Sequence, residues 1–138
     1  MHSLEQLRRG ELAGIRRLDL AADLDEFPRE IFDLADSLEV LNLSGNRLHD
    51  LPDLSRLHRL RVLFCSDNEF THVPEHLGAH PSLRMVGFKS NRIRHVPASA
   101  LSPHLRWLIL TANEIETLPD TLGQCTGLET VALPGTRL

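Results

Sequence analysis

The 138-residue chain has the length of one domain. Its formal net charge of −4, from 15 basic and 19 acidic side chains, removes any bulk electrostatic case for nucleic acid or an anionic membrane surface. No stretch approaches the roughly 18 apolar residues of a membrane span, the opening MHSLEQLRRGELAG lacks a signal peptide's apolar segment, and Cys65 and Cys125 are too few for a disulfide framework, so a reducing cytoplasm is the expected setting.

Ser3 followed by Gln6 matches a capping box, with Leu4 and Leu7 one turn apart, which predicts a short amphipathic helix over residues 3 to about 10. The chain then repeats itself. "IRRLDLAAD" opens at Ile15, "LEVLNLSGNRL" at Leu38, "LRVLFCSDNEF" at Leu60, "LRMVGFKSNRI" at Leu83, "LRWLILTANEI" at Leu105 and "LETVALPGTRL" at Leu128, so the starts lie 23, 22, 23, 22 and 23 residues apart. Within each copy the alternation of period two predicts a short strand, with Leu41 and Leu43 inward and Asn42 outward. Asn46, Asn68, Asn91 and Asn113 recur where the chain leaves the strand, and are expected to stack as a ladder that satisfies turn backbone. An apolar residue and a proline follow each of the first five bodies: Phe27-Pro28, Leu51-Pro52, Val73-Pro74, Val96-Pro97 and Leu118-Pro119. Connections such as "EHLGAHPS" and "DTLGQCTG" are too short for long helices and are expected as 3₁₀ or single α-turns. The first copy departs from the rest: "AADLDEFP" is one residue shorter and puts Asp23 near the ladder position.

The framework Leu38, Leu41, Leu43, Asn46, Leu48 and its counterparts resembles the leucine-rich repeat superfamily over about residues 12 to 138. The expected fold is α/β: a curved right-handed solenoid forming a single domain over 1–138, with about six short parallel strands on the concave side and 3₁₀ or short helical turns on the convex side. The last copy has Thr136 in the ladder turn, and no later segment covers Leu128, Val131, Leu133 and Leu138, so this end is expected to pack on something or to continue into a longer protein.

Outward positions read as columns. One runs Arg17, Val40, Val62, Met85, Trp107, Thr130; the second, two places later, runs Asp19, Asn42, Phe64, Gly87, Ile109, Ala132. An apolar stripe of Val40, Val62, Met85 and Trp107, flanked by Phe64 and Ile109, is expected to be a partner-binding surface centred on Met85, Trp107 and Ile109, although β-branched and aromatic residues also suit any strand. The adjoining column of Arg16, Glu39, Arg61, Arg84, Arg106 and Glu129 places Arg61, Arg84 and Arg106 along one margin of the stripe. These arginines are suited to carboxylates or phosphates of a partner, or else to solvation beside acids such as Asp67, Glu69 and Glu114.

His72 and His95 share a column, but with Asp50 and Thr117 beside them the set is poor for zinc, and no metal or cofactor is expected. Cys65, at an inward position, is expected to be an inert buried thiol, and Cys125 to fill space under a convex turn. There is no nucleophile elbow and no phosphate-binding glycine loop, so no catalysis is expected of this chain.

The runs "EFPREIFDLADSLEVLNLSGN", "LFCSDN", "GFKSNRIRHVP" and "LRWLILTANEIETLP" are similar to the amino-terminal repeats of bacterial leucine-rich repeat-containing protein kinase family proteins. That resemblance implies a following kinase domain; none of its motifs (the nucleotide loop, the VAIK lysine, HRD or DFG) occurs here, and the single lysine, Lys89, lies on a repeat. The leading expectation is a module that binds a protein or peptide on its concave face, without nucleic acid or membrane. The alternatives are a regulatory amino-terminal part of a Ser/Thr-type kinase-like protein and a structural self-association module.

Overall fold

Residues of period two, separated by connections too short to leave the same layer, stack side by side. The computed structural model describes residues 1–116, residue 119 and, as backbone, residues 130–132. The expectations for Leu118, Cys125, the "DTLGQCTG" connection and the apolar carboxy-terminal end lie outside the described residues. A short helix α1 (Leu4–Arg8) precedes β1 (Arg17–Asp19), β2 (Val40–Asn42), β3 (Val62–Phe64), β4 (Met85–Gly87), β5 (Trp107–Ile109) and β6 (Thr130–Ala132). All six strands form one parallel sheet in sequence order. 3₁₀ turns at Arg29–Leu34, Glu75–Ala79 and Ala98–Ala100 carry the return path. Their entries are set by Pro28, Pro74 and Pro97, which hold extended backbone immediately before each turn.

The core is one column of framework side chains between sheet and convex turns. Leu18, Leu41, Leu63, Val86 and Leu108 point inward from the strand centres, with Leu20, Leu43, Cys65, Phe88 and Leu110 behind them, all buried. Phe70 and Phe88 meet edge to face with ring centroids 5.0 Å apart, linking two rungs through a favourable quadrupole arrangement. Burial pushes the Cys65 thiol far above its ordinary pKa, because a thiolate there has no water and no cation to stabilise it.

The four ladder asparagines are buried. Each side-chain amide donates to carbonyls of its own rung and of the rung before, while its oxygen accepts from backbone N–H groups of the preceding turn. Asn46 Nδ2 donates to Leu20 and Leu43 oxygens, and its Oδ1 accepts from Ala22 and Leu24 amides. Asn113 does the same for Phe88 and Leu110 oxygens and for the Asn91 and Ile93 amides. Asp23 stands outside this ladder. It is exposed, with a left-handed φ of 54°, and its carboxylate meets Arg47 Nε at 2.8 Å. The first turn is served, like those after it, by the asparagine of the next rung, here Asn46.

The amino-terminal edge is covered twice. Ser3 and Gln6 form a reciprocal capping box on α1, which buries Leu7. His2 adds a bridge beside Leu20, its amide donating to Asp19 oxygen at 2.9 Å and its Nδ1 accepting from the Asp19 amide. Nothing in the residue pattern pointed to His2 as an edge residue.

A second histidine is structural in a way the sequence did not announce. His80 is buried under the convex side, where Nδ1 accepts from the Ser82 and Leu83 amides and Nε2 lies 3.1 Å from Leu57 oxygen. That pattern requires the neutral ring with its proton on Nε2. Burial lowers the pKa from 6.5, with the Leu57 and Leu54 carbonyls and Asp53 opposing. The unfolded chain therefore binds more protons than the native one in mildly acid solution. His80 contributes stability that is complete above pH 6.5 and is lost as the pH falls through and below that value. Urea melts from pH 8 to pH 5 should show the unfolding free energy declining, and His80→Gln should flatten that decline; an unchanged slope in the variant would exclude this role.

Candidate binding surface on the concave sheet

The outward columns are in register. Arg17, Val40, Val62, Met85 and Trp107 are successive backbone partners, as are Asp19, Asn42, Phe64, Gly87 and Ile109. The first column is fixed by backbone bonds to the arginine column beside it: the Val62 amide donates to Glu39 oxygen, that of Met85 to Arg61 oxygen and that of Trp107 to Arg84 oxygen.

This face has two halves of different chemistry. Over β1 and β2 it is polar and internally satisfied. Arg17 donates from Nε and Nη2 to the two Asp19 carboxylate oxygens at 2.9 and 3.0 Å, and Asn42 Nδ2 donates to Asp19 Oδ1 at 3.0 Å. Chiefly through Arg17, with Asn42 adding and partial burial opposing, the Asp19 carboxyl is held below the usual range. Over β3 to β5 the face is apolar. Val62, Phe64, Met85, Trp107 and Ile109 are each partly exposed, as is Val40 at the boundary. They face away from the framework leucines and shield one another's flanks, so none stands as open as Met1, which is 87% exposed.

Gly87 shapes the middle of this half. A Cβ there would lie 3.0 Å from Phe64 Cδ1, so the missing side chain leaves the notch over which the Phe64 ring lies. Trp107 is held from one side by Arg106, whose guanidinium carbon is 5.6 Å from the ring centroid, a contact worth about 0.5–1 kcal/mol at such a site.

The arginine margin is not uniform. Glu39 of the same column lies 3.6 Å from Arg61 Nη1 and 3.7 Å from Arg16 Nε, distances long enough to leave both pairs loose. Arg84 Nη1 donates to Leu83 oxygen at 3.2 Å. Arg61, Arg84 and Glu39 line a shallow pocket of about 360 Å³ together with Arg59 and Ser82. Column reading missed those last two because they precede the strands; they nevertheless occupy equivalent places, each one residue before a repeat start.

His72 and His95 pair through backbone, with the Val73 amide 3.3 Å from His95 oxygen. Among the described residues no group of three or more His, Cys, Asp or Glu side chains is placed to hold a metal ion. Among them, too, no helix is long and apolar enough to cross a membrane. The chain carries no catalytic motif.

Residues 36–75 match the family model described as Leucine Rich repeats (2 copies). A 68-residue stretch, 48% of the chain, is 38% identical to the probable serine/threonine-protein kinase roco9 of Dictyostelium discoideum, of which it covers 2%. The family match falls on the rungs carrying β2 and β3, whose asparagines, leucines and parallel register continue through β4 and β5. Residues 36–75 thus match leucine-rich repeats, and the six parallel strands in sequence order with short convex turns are consistent with a curved leucine-rich repeat solenoid.

Proposed function

We propose that this domain binds a protein or peptide segment across the β3 to β5 half of its concave sheet, with no chemistry of its own. One observation carries the reading. The polar half of the same face is closed by its own hydrogen bonds, whereas Val62, Phe64, Met85, Trp107 and Ile109 leave apolar surface that remains partly open to water. Covering such surface is favourable at about 25 cal/mol per Å², and a tryptophan at its centre is the side chain type that most often dominates an interface. Arg61, Arg84 and Arg106 form the polar rim of the contact.

Peptides selected on the immobilised domain from a random display library test this. Trp107→Ala should weaken the selected peptides about thirtyfold, equivalent to about 2 kcal/mol, with the circular dichroism spectrum unchanged. Selected peptides whose affinity is the same for Trp107→Ala and Met85→Ala would place the contact elsewhere.

A second reading rests on the similarity to a protein named as a probable kinase. In it the domain is a recognition or docking module of a cytoplasmic kinase-like protein, and the partner is supplied by, or presented to, a kinase domain. A gene whose reading frame continues past Leu138 into kinase motifs would support it, and a native stop codon directly after that residue would remove it.

A further inference from the structure

We infer that the pocket at the start of β3 and β4 receives a phosphorylated side chain of the bound segment. The inference rests on the concave sheet being the binding face and adds the partner's chemistry. Arg59 and Arg61 come from one rung, Ser82 and Arg84 from the next, and Glu39 from the rung before, around a single opening of about 360 Å³. Three guanidiniums against one carboxylate leave a formal charge of +2 in that opening. A phosphomonoester carries close to −2 near neutral pH and offers three strong acceptor oxygens, so it matches this charge better than one carboxylate does. Guanidinium forks also suit phosphate oxygens in pairs.

The arginines are not already committed to stronger partners. Arg61 shares Glu39 with Arg16 at distances beyond a good charge-assisted bond, and Arg84 donates to a backbone carbonyl. Ser82 is a wall rather than a donor, because its hydroxyl already donates to Leu60 oxygen at 2.7 Å. A protein segment fits better than a nucleic acid, since the chain as a whole carries −4. Arg61 and Arg84 directly precede Val62 and Met85, so a phosphate held there lies at the margin of the apolar stripe.

The test uses the 138-residue chain immobilised, with three degenerate peptide libraries identical except for a central phosphoserine, serine or glutamate. The phosphoserine library should be retained on the order of tenfold more than the serine library. That preference should shrink with added NaCl or inorganic phosphate and disappear in Arg59→Ala/Arg84→Ala, both surface changes that leave the circular dichroism spectrum intact. Equal retention of phosphoserine and serine, equal retention of phosphoserine and glutamate, or an undiminished preference in the double variant would each overturn the inference. So would retention of vesicles containing an anionic phospholipid without any phosphoserine preference. Trp107→Ala separates the two readings. If it lowers retention of all libraries while no phosphoserine preference exists, the pocket alone fails. If the preference is present and Trp107→Ala changes nothing, the apolar stripe fails and the pocket stands.

Discussion

Asn91→Ala should lower the unfolding free energy by about 3–4 kcal/mol and the urea midpoint by more than about 1 M. The side chain's value lies in what it leaves behind. Its Oδ1 accepts from the Phe70 amide at 3.1 Å, and its Nδ2 donates to Cys65 oxygen at 2.9 Å, both at residues with no exposure to water. Phe88 oxygen, a third partner, keeps a bond from Asn113. Two buried backbone groups are thus orphaned, each at a cost of about 1–3 kcal/mol. Asn91→Asp separates the two roles of the amide, since a carboxylate still accepts from Phe70 but cannot donate to Cys65. It should be destabilising as well, and more so above the carboxyl's pKa than below it, where the protonated acid regains a donor. A loss under about 1 kcal/mol in Asn91→Ala would mean that the ladder is decoration on a stack held by its leucines alone.

Gly78→Ala should cost about 3 kcal/mol, lowering the melting temperature by roughly 10 °C. Gly78 lies in the 3₁₀ turn Glu75–Ala79, and a Cβ there would overlap the carbonyl oxygen and carbon of Ser99, in the turn Ala98–Ala100 of the next rung. The obstacle is backbone, which cannot rotate aside as a side chain tip can, so two convex turns must separate to admit one methyl group. The requirement is for space and not for backbone torsion, which makes alanine as harmful here as it is harmless at most partly buried positions. A melting temperature within about 2 °C of the unmodified protein would show that these turns pack more loosely than their contact implies.

The two halves of the concave face differ in how their outward groups are satisfied. Arg17, Asp19 and Asn42 satisfy one another, so that end gains little from a partner. Phe64, Met85, Trp107 and Ile109 are apolar neighbours whose mutual shielding is incomplete, so burying them further is favourable whatever segment does it. The arginine pocket lies at the margin of this second half.

Much of the architecture was legible in the residues. Leucines at period two, a spacing of 22 or 23 residues and asparagines at four strand exits leave a parallel stack as the arrangement that buries the framework leucines and pairs the turn backbone. The alternation also specified which side chains share a column, because a strand's register follows once its inward face is known. The rest depends on contacts between rungs that no single repeat contains. Asp23 occupies a ladder place by count, yet it faces solvent and meets Arg47 of the next rung. His80 reads as one of eight histidines until the Leu57 carbonyl of the previous rung closes over it. Arg59 and Arg61 come to line one opening with Ser82 and Arg84 only when two repeats lie side by side. Periodicity within the chain fixes direction and register, since both are set by local backbone geometry; burial, proton state and the grouping of charges are set between rungs, by atoms distant in sequence, and were decided only by the stacking itself.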